Sequence, residues 1–370
     1  MTEQSSTESN DKPPMRGLVL SGGGSRAAYQ AGALRALQES HGSSSFPFSV
    51  IVGSSIGAVN GVMFAAALRR SFSEAVKTIT ELWQERTFEN TFGGPLTLTL
   101  LRSIRVGFLQ YLSPGPKPTT LSIFDPAPLR RRMDETLFEY GGAQVEDHHP
   151  DLHAIGVMTT REGDERKGLL LVNSRTELSP KMLKGISFGV HYVNHLSSSH
   201  AFASAALPSV LPPVEITADA GDVRLVDGGI SDNIPVDPAV RFGATDVTII
   251  DTSGKKWWCD RYNKPHYSRD PWELPVPPGT YCLQPKKFLE LIPSTGLGAV
   301  LKVALGNSTK DYIRAFGPTW PIYRLLRNQM GEELALETMS YAVIYPPYLQ
   351  ALIDLGYEDT KRTLWQKQEL

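Results

Sequence analysis

The sequence predicts an α/β protein in which a mostly parallel sheet is covered by helices. Two observations carry that reading. Residues 16–21 (RGLVLS) form a short apolar run ending at Gly22-Gly23-Gly24, and an Ala-rich stretch follows with Tyr29, Ala33, Leu34 and Leu37 at helical spacings. Strand, glycine turn, then helix is the economical reading. The unit then repeats. Residues 48–52 form a second apolar run stopped by Gly53, and residues 55–70 suit a well-buried helix with Ile56, Val59 and Met63 along one side. A strand–turn–helix unit used twice points to parallel strands with helical crossovers.

The later segments extend the pattern. Residues 71–84 read as helix, as do residues 125–140, where Asp125 and Pro126 suit an N-cap and first turn. Residues 152–159 and 168–173 read as two strands joined by a charged turn, REGDERK. A helix through 201–206 is stopped by the proline cluster LPSVLPP, and a short strand at 223–226 delivers Asp227-Gly228-Gly229 at its end. Residues 237–242 suit a helical turn and 246–250 another core strand. Two regions break the rhythm. Residues 91–124 combine turn formers with apolar groups, as a lid or a plain irregular insertion would. Residues 255–285 hold six prolines and three tryptophans and read as an ordered excursion, after which the pattern is mainly helical. The expected organisation is a disordered tail over 1–14, a catalytic core over 15–254, and a C-terminal part over 255–370 packed on the same domain.

Composition narrows the function. The 37 basic and 39 acidic side chains leave a net charge of -2, which gives no support to a nucleic-acid partner. No secretory signal and no run of 18 apolar residues is present, so the expectation is a cytoplasmic protein that meets membranes peripherally at most. The two cysteines, Cys259 and Cys282, read as free thiols in a reducing compartment, with a single bridge as the alternative. No metal site is expected: His191 and His195 lie four apart but lack an acidic third ligand. Oligomeric state is not readable.

The chemistry concentrates in three glycine-rich places. Gly53-Ser54-Ser55-Ile56-Gly57 matches G-x-S-x-G between a strand and a helix. A nucleophile needs a sharp turn to project its oxygen clear of the sheet, and Gly53 and Gly57 leave room for it. The register of the glycines selects Ser55. An acyl-transfer site also needs fixed N–H donors for an oxyanion, which the loop Gly22-Gly23-Gly24-Ser25-Arg26 can supply. Arg26 either approaches substrate or pins the loop through an acidic group. The same glycines allow a weaker dinucleotide reading, with Ala27 in the last G-x-G-x-x-G place. For the base, Asp227 is a stronger candidate than any of the eight histidines. It follows a strand and precedes two glycines, and a carboxylate in direct contact can take a hydroxyl proton when the alkoxide is stabilised. The alternative is a turn residue that satisfies its own backbone.

Together these pieces resemble the patatin-like phospholipases, or lipid acyl hydrolases, whose G-G-G-x-R block, G-x-S-x-G elbow and late D-G-G stand here at 22–26, 53–57 and 227–229. Residues 203–208 with 211–214, and residues 232–236, look like further family blocks, so the resemblance covers about 16–250; residues 352–362 look like a family ending helix. Ala27 departs from the G-G-G-x-R-G of many relatives, and 255–330 matches no block. The resemblance implies a three-layer α/β/α fold, a Ser55–Asp227 dyad with no catalytic His and no cofactor, and the 22–26 amides as oxyanion hole. It also implies phospholipid or other lipid-ester substrates, cleaved in a phospholipase A or lysophospholipase manner. Leu98, Leu100, Leu101, Phe108, Leu109 and Tyr111 are the apolar candidates for an acyl channel; filling the core is the alternative. An inactive lipid-binding or interaction protein on the same fold, and a serine peptidase, are the rival readings.

Overall fold

The computed structural model describes residues 15–42, 46–92, 122–146, 150–163, 168–218, 221–252 and 279–368. The 1–14 tail, the acyl-channel candidates Leu98, Leu100, Leu101, Phe108, Leu109 and Tyr111, Cys259 and most of the Pro/Trp-rich excursion lie outside the described residues.

The chain begins β1 (Arg16–Leu20), α1 (Ala28–His41), β2 (Val50–Ser54), α2 (Ile56–Ala67), α3 (Phe72–Gln84) and the single turn α4 (Phe88–Thr91). It continues with α5 (Ala127–Tyr140), β3 (Ala154–Arg161), β4 (Gly168–Ser174), the short α6 (Pro180–Leu183), β5 (Phe188–Tyr192) and α7 (Ser198–Ala205). Then come β6 (Val214–Ala218), β7 (Gly221–Val226), α8 (Val236–Arg241), β8 (Asp246–Ile250) and β9 (Lys287–Leu291). Five helices close the chain: α9 (Leu297–Leu305), α10 (Thr309–Phe316), α11 (Trp320–Met330), α12 (Glu332–Met339) and α13 (Pro346–Gln368).

Among the described residues the strands form one sheet with the order β5-β4-β3-β2-β1-β8-β9, and β6 and β7 extend it as a hairpin beside β3. The centre, β3-β2-β1-β8-β9, is parallel throughout; β4 runs antiparallel to β3. Alternate residues of each strand face opposite layers, as the two-residue period requires. Leu18, Leu20, Ile51, Ile155 and Val157 join a large core with α1, α2, α3 and α13. Val19, Val50, Val52, Ala154 and Met158 face a smaller one with Ile234 and α8. The predicted layered α/β architecture is what the chain adopts.

Three strands were not legible as strands. β5 and β9 are part-exposed edges, and β6 (VEITA) follows a proline cluster, so none carries a long apolar run. The second predicted strand begins two residues later than its apolar run, at Val50. Phe48 instead packs edge-on against Phe46, which in turn packs against Phe64 and Phe72.

Candidate active site

Strand register brings the site together. Leu20 pairs with Gly53, so the chain leaves β1 and β2 side by side, into the glycine loop and the Ser55 turn. On β3, Met158 pairs with Ser54 at the end of β2, and Thr160 pairs with Val226 at the end of β7. Thr160 also pairs with Gly168 of β4 on its other side. β2 and β7 therefore meet head to head along one edge of β3. The sequence reading expected Asp227 at the carboxyl end of a strand, and it is there, but its strand arrives from the opposite direction.

Ser55 caps α2 with φ 51° and ψ -131°, a conformation that costs a non-glycine residue about 1–3 kcal/mol. Its N–H donates to Ser204 Oγ at 2.7 Å, and Ser204 Oγ donates in turn to Met158 O, so α7 and β3 hold the strained turn from behind. α2 is buried on every face, which fixes the helix that starts at the serine. Ser55 Oγ donates to Asp227 Oδ2 at 2.6 Å. The other oxygen, Asp227 Oδ1, accepts the Gly229 N–H at 2.8 Å, and Thr160 Oγ1 donates to Asp227 O at 2.8 Å. Asp227 is buried, and burial pushes its carboxyl up to about 6 against the opposing pull of the Ser55 and Gly229 hydrogen bonds. The turn residue and the candidate base are thus one side chain: one oxygen satisfies the turn, the other meets the serine.

The glycine loop lies directly against this pair. A Cβ on Gly22 would stand 2.8 Å from Ser55 Cβ and 2.2 Å from Asn233 Oδ1, so no larger residue fits. Gly24 takes φ +57° with its Cα against the Tyr341 carbonyl. The loop is held on both sides. Gly22 N–H donates to Asn233 O at 3.1 Å, and Thr252 Oγ1 donates to Gly22 O at 3.0 Å. Ser25 N–H donates to Tyr341 O at 2.9 Å, and Arg26 N–H to Gly23 O at 3.2 Å. The five amides expected as oxyanion donors are thus differently engaged. Gly22, Ser25 and Arg26 spend theirs on Asn233 O, Tyr341 O and Gly23 O, whereas no acceptor among the described residues takes the N–H of Gly23 or Gly24.

The Arg26 side chain pins the loop. It is 1% exposed, Nε donates to Ser340 Oγ at 2.7 Å, and Nη2 donates to Glu337 O and Oε1 at 2.6 and 2.7 Å. Its guanidinium lies 3.6 Å over the Tyr341 ring. Of the two roles open in the sequence, it takes the acidic partner, and it does so with residues of α12 and the turn after it.

One cavity of about 540 Å³ joins Ser55, Asp227, Gly22, Gly23 and Gly24 to a largely apolar space. Phe92, Phe124, Leu129, Phe202, Leu211 and Ile344 are among its walls, and the far side comes from α11, α12 and the turn after it. Sequence reasoning did not find these residues. The one usable signal was that the segment named as a lid or channel starts and ends here: Phe92 and Phe124 stack with ring centroids 4.6 Å apart. Two charged residues line the cavity among the described residues, Asp227 and Arg86. No described histidine does. His200 belongs to the capping box of α7, and burial, with His195 and His191 nearby, pushes it down to about 4. Among the described residues no cluster could hold a metal ion, and no helix is long and apolar enough to cross a membrane.

Comparison with solved structures pairs the chain with the type III effector protein ExoU of Pseudomonas aeruginosa at 16% identity and a TM-score of 0.38, over 96% of this chain and 54% of that one. It also pairs it with VipD from Legionella pneumophila at 17% identity and a TM-score of 0.31, over 68% and 52%. Human GIVD cytosolic phospholipase A2 aligns at 12% identity and a TM-score of 0.43, over 98% and 61%. The chain thus spans 52% to 61% of the length of these three proteins. No curated protein matches it. The family model described as patatin-like phospholipase matches residues 18–240, more than half of the sequence and all three glycine-rich blocks in order. On that match the chain belongs to the patatin-like phospholipase family.

Proposed function

We propose that the protein is a serine lipid acyl hydrolase that cleaves fatty-acyl esters through an acyl-enzyme on Ser55. The observation that carries this reading is the 2.6 Å hydrogen bond from Ser55 Oγ to a buried carboxylate. Asp227 Oδ2 accepts the Ser55 proton as Oγ attacks the ester carbonyl. The carbonyl oxygen gains negative charge and sits against the Gly23 and Gly24 N–H groups, at the positive end of α2. Collapse expels the alcohol or lysolipid, which takes the proton back from Asp227. Water then attacks the acyl-serine by the same route in reverse. An Asp can serve here because burial has already raised its proton affinity and no cation among the described residues competes for it. The apolar cavity supplies the place for an acyl chain.

A fluorophosphonate probe tests the nucleophile directly. It should label the wild-type protein and leave Ser55→Ala unlabelled, with ester turnover falling by at least ~10³-fold. Equal labelling of the two would remove Ser55 from the reaction.

The cavity's outer helix also favours contact with a bilayer. On α11, Ile322 and Leu325 are 44% and 57% exposed beside the exposed Arg324 and Arg327, and Ile322 is itself part of the cavity wall. An apolar edge flanked by arginines suits an anionic lipid surface. Leu325→Glu should weaken co-sedimentation with anionic vesicles several-fold while sparing hydrolysis of a water-soluble p-nitrophenyl ester. Undiminished sedimentation moves the membrane edge elsewhere.

A further inference from the structure

The two buried arginines near the site are not alike. Arg26 spends its guanidinium on Glu337 and Ser340. Arg86, just past α3, is 8% exposed and lines the cavity, yet no carboxylate or carbonyl among the described residues accepts from its guanidinium. The guanidinium's one described partner is the Trp83 ring, 4.1 Å below it. The adjacent acid, Glu85, is turned to Arg132 at 2.8 Å. Residues 93–121, which follow the Phe92 wall, contain no Asp or Glu, and they add Arg102, Arg105 and Lys117.

A buried guanidinium without an acceptor is costly, and chains retain one where something else completes it. Burial lowers Arg86 to about 10, so it is still a cation at neutral pH. Its planar fork matches the paired oxygens of a phosphate. We propose that Arg86 is the receptor for the phosphate group of a lipid substrate held in the cavity. This rests on the hydrolase reading above and adds to it a basis for choosing substrates. A phospholipid brings the anion that the guanidinium lacks among the described residues. A neutral acylglycerol of equal apolar area leaves the same cation dry and unpaired, and is disfavoured for that reason.

Binding is measured first, because it needs no turnover. Calorimetric titration of the full chain with n-decyl phosphate, n-decanol and inorganic phosphate should rank decyl phosphate at least ~10-fold tighter than decanol, with inorganic phosphate weaker still. Arg86→Gln should bring the two amphiphiles to within ~2-fold of each other, and Arg86→Lys, which keeps the charge without the fork, should fall between. In hydrolysis, the ratio of kcat/KM for a short-chain phosphatidylcholine over that for p-nitrophenyl hexanoate should drop ~10-fold or more in Arg86→Gln. Equal binding of decyl phosphate and decanol by the wild type, a selectivity unchanged in a folded Arg86→Gln, or inorganic phosphate binding as tightly as decyl phosphate each overturns the assignment. The wild-type arms stand even where a variant does not fold. Arg86-dependent binding of decyl phosphate with no ester turnover would sink the hydrolase reading and leave the phosphate site in place.

Discussion

Asp227 and Asp237 lie on opposite sides of one short loop and share a residue type and nearly complete burial, and burial pushes both carboxyls up to about 6. Their partners differ. Asp237 Oδ2 accepts from Arg241 Nε at 2.8 Å and Oδ1 accepts the Leu283 N–H at 2.6 Å. Arg241, itself buried, also donates to backbone carbonyls of residues 182, 184, 185 and 281. That pair ties α8 to the loop after α6 and to the chain entering β9. Asp227 meets a hydroxyl and an amide, and no cation among the described residues. The difference teaches that burial alone does not make a base. A carboxylate locked to a guanidinium has its charge spoken for, whereas one facing a hydroxyl is left able to take a proton.

Removing each carboxylate should separate the two roles most clearly. Asp237→Ala strands Arg241 in a dry interior and should cost about 3–5 kcal/mol of stability, read from urea unfolding; a cost below about 1 kcal/mol would show that the pair is not structural. Asp227→Asn should fold and yet lose ~10²–10³-fold in ester turnover, measured on the same protein that passes the urea test. Near-normal turnover would mean that another group takes the proton. The smallest effect is that of pH. With Asp227 titrating near 6, kcat/KM at pH 5 should be about a tenth of its plateau value, because the base must be ionised. The stability sign runs the other way. Since the folded carboxyl titrates above its unfolded value of 3.8, its contribution is full below that pH and lost as pH rises through about 6. The stability of Asp227→Asn relative to wild type should therefore improve between pH 4 and pH 7. A flat difference would contradict the raised value.

Much of this was legible in the sequence, and the exceptions have physical reasons. Ser55, Asp227 and the glycines between which they stand impose their own backbone geometry, so local text suffices for them. β1, β2, β3, β4, β7 and β8 carry apolar runs. The edges β5, β6 and β9 do not, since a half-exposed strand needs few apolar residues. Which loop amides stay unspent was not readable, because Tyr341 and Asn233, which claim two of them, lie over 200 positions away. Block 203–208 was visible as a pattern before its reason was: Ser204 holds the Ser55 N–H. Arg86 gave no signal, because a single arginine between two helices ordinarily faces water. The cavity walls come from segments scattered between residues 22 and 344, and no periodicity marks them.

Arg26 reaches 311 and 314 positions along the chain to Glu337 and Ser340, and Ser25 reaches 316 to Tyr341. A ribosome would therefore release Ser55 and Asp227 long before the brace for the glycine loop exists. A growing polypeptide that stops short of α12 carries every signature motif and lacks the clasp that keeps two amides aimed. The glycine loop is thus clasped only after α12 has followed it out, more than 300 residues later.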